Sequence, residues 1–265
     1  MHFIVEGYPA YAYTGGVEFD ASRPALVFVH GAAFDHSVWQ WQARYFAHHG
    51  RAVVASDLPA HGRSPGTPRT SVEALAGWLI ALLDAAGLER VALAGHSMGS
   101  LVALEAALSH PERVTRLALV GASVPMAVGE AFLAAARDDS PAALDMEAVW
   151  GHARLATLAA SAAPGMSLVA TSRQLNARAR SGLLAADLAA CRDYRPAPEA
   201  LARLAVPTLV VAGRRDQMTP WKAGQAVADR IPGARLVTLD AGHSMMTEAP
   251  RELTAALRDL LGPAP

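Results

Sequence analysis

The stretch Val91-Ala92-Leu93-Ala94-Gly95-His96-Ser97-Met98-Gly99-Ser100 constrains the fold more than any other part of the chain. Four apolar residues predict a buried strand over Val91 to Ala94, and Leu101 to Ser109 reads as a helix. Between them lies a Gly-x-Ser-x-Gly turn. It must reverse the chain where backbones nearly touch, and Gly95 and Gly99 supply the small residues this needs. A strand–turn–helix unit of this kind belongs to a parallel sheet covered by helices. It also leaves the Ser97 side chain at the tip of the turn, where a hydroxyl can serve as a nucleophile.

The same alternation recurs along the chain. Strands are expected over His2 to Glu6 and Ala10 to Thr14, around a Gly7-Tyr8-Pro9 turn, then over Ala25 to Val29 and Arg51 to Ala55. Further strands are expected over Arg116 to Val120, Thr208 to Ala212 and Arg235 to Leu239. Helices are expected over Val38 to Phe46, Ser71 to Ala86, Trp221 to Arg230 and Pro250 to Leu261, with Gly87 as a stop signal for the second. Runs such as Leu26-Val27-Phe28-Val29 and Leu209-Val210-Val211 have no polar face, as strands buried on both sides require. The expected fold class is therefore α/β, with a mostly parallel, doubly wound sheet.

The alternation stops between about Val124 and Ala200. That stretch is helical in composition, broken at Ser140-Pro141, at Pro164-Gly165 and around Pro196 to Pro198. A structureless loop of such length would be unusual. The expectation is a core formed by residues 1–123 and 201–265, with residues 124–200 as a helical cap over the sheet.

Composition removes several function classes. Charged residues make up 18% and the net charge is −1, so no electrostatic footprint for nucleic acid or an anionic membrane is present. Lys222 is the only lysine, which confines lysine chemistry to that position. Cys191 is the only cysteine; no intrachain disulfide can form, and its Ala-rich surroundings suggest a packed thiol. No apolar run approaches a membrane span, and Met1 to Tyr8 lacks the pattern of a signal peptide. A cytoplasmic protein is expected.

A serine hydroxyl is a poor nucleophile at neutral pH. It needs a general base, usually histidine, and the histidine needs an acid that fixes its tautomer and stabilises its cationic form. The best base is His243, in Asp240-Ala241-Gly242-His243-Ser244, where Gly242 lets the loop turn the ring back towards the sheet. The best acid is Asp216, in Gly213-Arg214-Arg215-Asp216. Ser97, Asp216 and His243 all fall just after expected strands, at the carboxyl ends where parallel sheets bind ligands. Asp240 is the nearest rival acid, but it lies too close to His243 along the chain to stand at a neighbouring strand end. The Met98 N–H, at the start of the helix after Ser97, is a free donor for the oxyanion that attack on a carbonyl would create.

Across essentially its whole length the chain resembles the α/β-hydrolase superfamily. The resemblance rests on His30-Gly31, on Asp57-Leu58-Pro59-Ala60-His61-Gly62-Arg63-Ser64, on Gly95-His96-Ser97-Met98-Gly99, on Gly213-Arg214-Arg215-Asp216 and on Gly242-His243. It implies the triad Ser97, Asp216 and His243. Some relatives carry the acid after the strand that precedes the cap, but Gly121-Ala122-Ser123 offers no carboxylate there. The resemblance puts the second oxyanion donor just after His30-Gly31, at Ala32 in preference to Ala33. Relatives commonly carry glycine where this chain has Ala60.

A serine at the nucleophile position argues against the family's dehalogenases and epoxide hydrolases, which use aspartate there. No lysine is available near the site for the chemistry of the family's hydroxynitrile lyases. What the resemblance leaves is hydrolysis of a small carboxylic ester, thioester or lactone through an acyl-enzyme on Ser97, without a cofactor. Carbon–carbon bond hydrolysis of dienoic diketo acids and cofactor-free haloperoxidase or perhydrolase activity use the same triad. A ligand-binding receptor of the same fold is a more remote alternative.

Phe34, Met126, Trp150 and Met245 are candidates for lining an acyl pocket, and Met98, Trp39, Met146, Met166 and Leu183 are weaker ones. Arg173, Arg178, Arg180, Arg192 and Arg195 could meet a substrate carboxylate, although a solvated or paired surface role fits them better. The ten histidines show no ligand spacing, so no metal is expected. His30 and His61 read as hydrogen-bonded loop residues, and His96 as a support for the turn. The expected partner is a small-molecule acyl substrate; nothing in the chain sets the oligomeric state.

Overall fold

The computed structural model describes residues 1–154 and 167–263. Eight strands form one sheet: β1 (His2–Val5), β2 (Tyr8–Tyr13), β3 (Ala25–Val29), β4 (Ala52–Ser56), β5 (Val91–His96), β6 (Val114–Val120), β7 (Thr208–Gly213) and β8 (Arg235–Leu239). Their order across the sheet is β1-β2-β4-β3-β5-β6-β7-β8. The six strands from β4 to β8 run parallel, while β1 and β2 form an antiparallel edge. Every residue of β3, β4, β5 and β7 is buried, as unbroken apolar runs in a sheet covered on both faces require.

The helices divide between the two faces. On one, α2 (Val72–Ala85) and α3 (Met98–Ser109) pack against the sheet through Leu75, Leu79, Leu83 and Leu104. Ser71 caps α2 by accepting from Ala74 N–H, which satisfies a donor that has no partner inside the helix. On the other face, α1 (Gln40–His48) and α10 (Pro250–Leu261) bury Ala43, Phe46, Leu253 and Leu257 against β-strand residues such as Phe28 and Val211. A helix α8 (Trp221–Ala228) follows β7, and a short α9 (Met245–Glu248) follows β8. Removing a buried leucine from such a core costs about 2–5 kcal/mol.

Between β6 and β7 the described residues form α4 (Glu130–Arg137), α5 (Pro141–Trp150), α6 (Leu168–Asn176) and α7 (Leu183–Asp193). Ser140 caps α5 and Pro141 occupies its first turn, so that expected break is a helix start. The expected break at Pro164-Gly165 lies outside the described residues. Phe132, Leu133, Ala143, Leu184 and Leu188 form a separate apolar cluster, which meets the sheet through Ala33.

Several boundaries differ from expectation, most by one or two residues, and three have a visible cause. The first hairpin turns at Glu6-Gly7, whose φ values of 50° and 85° make a tight two-residue turn, and Pro9 lies inside β2. The helix expected from Val38 begins as a 3₁₀ turn, His36–Trp39, because Asp35 caps it by accepting from Ser37 N–H. The segment after His243, unassigned from sequence, winds into α9.

Candidate active site

The turn after β5 is built as the glycine spacing demands. A Cβ on Gly95 would overlap the Gly99 carbonyl, and one on Gly99 would overlap the carbonyls of Val29 and His30. Ser97 sits at φ 52°, ψ −119°, a conformation that non-glycine residues adopt only when their surroundings force it. Here the forcing is visible: Ser97 N–H donates to Val120 O at 2.9 Å, and Ser97 O accepts from Ser100 N–H at 2.8 Å. Both ends of the peptide are tied, and the side chain faces a cavity of about 360 Å³.

His243 shares that cavity. Its Nδ1 lies 2.7 Å from Asp216 Oδ2, and the pair is buried. The other carboxylate oxygen of Asp216 accepts from Met218 N–H and Thr219 N–H, each at 2.8 Å. Burial pushes the Asp216 pKa up, but the His243 ring and these hydrogen bonds outweigh it, so the carboxyl is held below its ordinary value. An ionised Asp216 fixes the His243 tautomer with the proton on Nδ1. That leaves the Nε2 lone pair exposed to a proton donor, and Nε2 is buried with no hydrogen-bond partner.

Thr219 was not legible as a site residue. Its hydroxyl donates to Asp216 Oδ2 at 2.7 Å and stands 3.1 Å from His243 Nδ1, so it braces Asp216 and His243 together. The signal that could have found it is its spacing from Asp216: a carboxylate commonly accepts from backbone and hydroxyl donors two and three residues on. His96, next to Ser97, supports His243. Its Nε2 donates to the His243 carbonyl at 3.0 Å, with the rings 4.7 Å apart. Burial, reinforced by the neighbouring His243, pushes its pKa well below the ordinary value, so it stays neutral. The rival acid Asp240 is exposed and paired with Arg215 at 2.8 Å.

Across the cavity from this pair lies the loop after β3. Ala32 lines the cavity. The neighbouring Ala33 is left-handed at φ 54°, and its N–H donates to Asp187 Oδ2 at 2.8 Å. That commitment leaves Ala32 N–H, with no acceptor among the described residues, as the donor on this side. Met98 N–H, at the first position of α3, is likewise outside the helix's own hydrogen bonding.

Asp187, from α7, also escaped sequence reading, because its partners are 126 and 154 positions away. It lies 2.8 Å from His61 Nε2, while His61 Nδ1 lies 3.0 Å from the Pro59 carbonyl. Both ring nitrogens of His61 face acceptors, so both carry protons. Burial opposes this charge, but Asp187 outweighs it, and the His61 pKa is raised. His30 packs on His61 with rings 4.8 Å apart, donates from Nδ1 to Gly31 O and accepts Leu58 N–H on Nε2. Burial, then the His61 charge, pushes its pKa down to about 4.

Of the expected pocket residues, Phe34, Met126 and Trp150 line the cavity. Met245 does not: two positions past His243 the chain enters α9, and the Met245 side chain turns into the core, fully buried. Trp39 and Met98 are likewise core residues, Met146 packs within the β6–β7 helices, and Leu183 lines a different pocket. Met166 lies outside the described residues. None of Arg173, Arg178, Arg180, Arg192 and Arg195 reaches the cavity, and among the described residues no arginine or lysine lines it. Glu147, singled out by nothing in the sequence, does line it. One group of metal-ligand type exists among the described residues, Asp35, His36 and Asp57. Asp57 is already filled by His36 N–H, His36 Nδ1 and Arg63 N–H, at 2.7, 2.7 and 2.9 Å, and so pins two loops together. His36 and Asp57 belong to different strand connections, which is why linear spacing does not reveal the group. Among the described residues, no helix is long and apolar enough to cross a membrane.

Known proteins match this arrangement. Residues 24–250 fit the family model of the α/β hydrolase fold. The chain belongs to that family. A pimeloyl-(acyl-carrier protein) methyl ester esterase of Aromatoleum aromaticum is 32% identical, over 91% of this chain and 99% of the relative. The 3-oxoadipate enol-lactonase 2 of Acinetobacter baylyi is 28% identical, over 91% of this chain and 90% of the relative. An esterase from Exiguobacterium antarcticum has the same fold, with a TM-score of 0.84 and 21% identity over 98% of both chains. These similarities make the chain a hydrolase of the α/β family.

Proposed function

We propose that the chain hydrolyses small carboxylic esters or lactones, with Ser97 as nucleophile, His243 as general base and acid, and Asp216 as the orienting carboxylate. One observation carries this reading. His243 has one nitrogen locked by Asp216 and the other buried, unpartnered and open to the cavity that Ser97 shares.

In the first step Ser97 Oγ bonds to the substrate carbonyl carbon while His243 Nε2 takes the hydroxyl proton. The carbonyl oxygen becomes an oxyanion, which accepts from Met98 N–H and Ala32 N–H. As the carbon–oxygen bond to the alcohol breaks, His243 returns the proton to the leaving oxygen. A water then attacks the acyl-enzyme with His243 again as base, releasing the acid and restoring Ser97. Each oxyanion donor is worth about 3–4 kcal/mol of barrier. The helices between β6 and β7 act as a cap that encloses the acyl group. Their apolar contribution to the cavity, with no cationic side chain, suits an uncharged acyl chain better than a dienoic diketo acid. The resemblance to a methyl ester esterase and an enol-lactonase supports the same reaction class.

A fluorophosphonate should label Ser97 stoichiometrically and abolish multiple-turnover release of p-nitrophenol from short acyl esters. Ser97→Ala should remove both labelling and turnover. Turnover that survives in that variant would overturn the assignment of the nucleophile.

A further inference from the structure

Among the described residues, one carboxyl group lines the cavity, and the proposed chemistry has no use for it. Glu147 lies on α5, one helical turn from Ala143 and three residues before Trp150, on the face turned inward. It is only 5% exposed, and one of its carboxyl oxygens is fully buried with no hydrogen-bond partner. Phe132, Met126, and Leu184 and Leu188 of α7 line the same cavity with apolar side chains. An unpartnered polar atom in such surroundings costs free energy that an alanine or leucine would not.

Resting on the esterase reading above, we propose that Glu147 is a specificity residue that hydrogen-bonds a neutral polar oxygen, a ketone or amide carbonyl, carried along the acyl chain of the substrate. Three features select this ligand. Among the described residues no arginine or lysine lines the cavity, so a substrate carboxylate would meet no counter-charge beside the acid. The apolar wall would strip a substrate ammonium of water with little in return. A neutral carboxylic acid, by contrast, offers an O–H donor that a carbonyl accepts without creating charge. Burial alone pushes the Glu147 pKa up to about 8, so the empty site holds that neutral donor at pH 7. The other titratable groups facing the cavity are His243 and His96 at its floor and Cys191 from α7, whose thiol burial pushes up.

The test compares p-nitrophenyl esters of a straight-chain acid with esters of the same acid bearing one ketone, the ketone being walked outward along the chain. Binding is read by calorimetry on the Ser97→Ala protein, and turnover on the wild type. At one ketone position the ketone ester should bind roughly tenfold tighter than its plain counterpart, the value of one hydrogen bond to a group otherwise left unpaired. Glu147→Gln, which keeps a donor, should retain most of that preference. Glu147→Leu should abolish or invert it, by favouring the plain chain. The preference should also fall above pH 8 in the wild type and stay flat in Glu147→Gln; the ratio of the two esters cancels any pH effect common to both.

Equal affinity for the two esters at every ketone position would overturn the proposal, as would an equal loss for both esters in Glu147→Leu. Tightest binding of an ester carrying a trimethylammonium group, lost in Glu147→Gln, would replace the neutral donor with a carboxylate. Binding preference without any turnover would sink the esterase reading and leave this one standing.

Discussion

Among the described residues, two buried carboxylate–imidazole pairs look alike and differ in what their imidazoles leave free. Asp216 and His243 lie 2.7 Å apart, and Asp187 and His61 lie 2.8 Å apart. Each pair has a second histidine beside it, His96 in one case and His30 in the other. The difference is in the far nitrogen. His61 uses both nitrogens as donors, to Asp187 and to the Pro59 carbonyl, and has none to spare. His243 leaves Nε2 unpaired at the cavity. An acid–histidine pair is therefore no sign of catalysis until the second nitrogen has been accounted for. A saturated ring is a fastener, and an unsaturated one beside a nucleophile is a base.

The sharpest way to break this contrast is to remove each ring in turn. His243→Gln should lower kcat/KM on a p-nitrophenyl ester by about 10⁴-fold with little change in Tm. His61→Gln leaves Asp187 charged and buried without its counter-ion, which should cost about 3–5 kcal/mol. Thermal unfolding should then show a Tm lower by roughly ten degrees, with a far smaller loss of kcat. Equal losses of activity with unchanged Tm in both variants would erase the distinction.

A smaller effect lies in the pH dependence of stability. His30, His96 and His152 are buried with pKa values pushed below 6.5, burial being the largest cause for each. Their unfolded forms bind protons that the folded forms refuse, so stability should fall as pH drops from about 6.5 towards 4. His61 works the other way. With its folded pKa raised, its contribution is complete below 6.5 and is lost as pH climbs through the raised value. Tm measured across this range should fall on the acid side, where the three lowered groups titrate and His61 is already protonated in both states. His61→Gln should leave that acid-side fall in place and remove the loss seen as pH rises above 6.5; a flat acid-side profile would contradict the neutral state of the three lowered rings.

The smallest effect concerns Ala60, which holds φ 69° in the loop that carries His61. A left-handed backbone costs an L-residue about 1–2 kcal/mol, part of which glycine recovers. Ala60→Gly should raise stability by about 0.5–1 kcal/mol in denaturant unfolding without altering kcat. The extra methyl at this position was plain from sequence, but the strain behind it was not, because φ is invisible to composition.

That limit recurs across the molecule. The bounds of β8 and α10 agree with the sequence reading to the residue: a short apolar run marks the strand, while Pro250, Gly262 and a single buried face mark the helix. Ser97, Asp216 and His243 were legible because each follows a strand and each carries distinctive chemistry. Thr219, Asp187 and Glu147 were not, because their significance lies in what faces them. A lone acid in an apolar helix such as α7 reads as a surface residue until a loop from the far end of the sheet closes over it. Met245 failed for a related reason: one residue separates it from His243, and the start of α9 sends the two side chains to opposite destinations.

Asp187 holds Ala33 N–H and His61 with a single oxygen, and the Gly151 carbonyl at the end of α5 accepts Ser244 N–H beside the base. The segment between β6 and β7 thus grips both flanks of the reaction centre. For anyone recombining parts among relatives, it is no interchangeable attachment. A transplanted segment lacking an acid at the Asp187 position and a carbonyl at the Gly151 position would bring its new selectivity to a centre that had come loose.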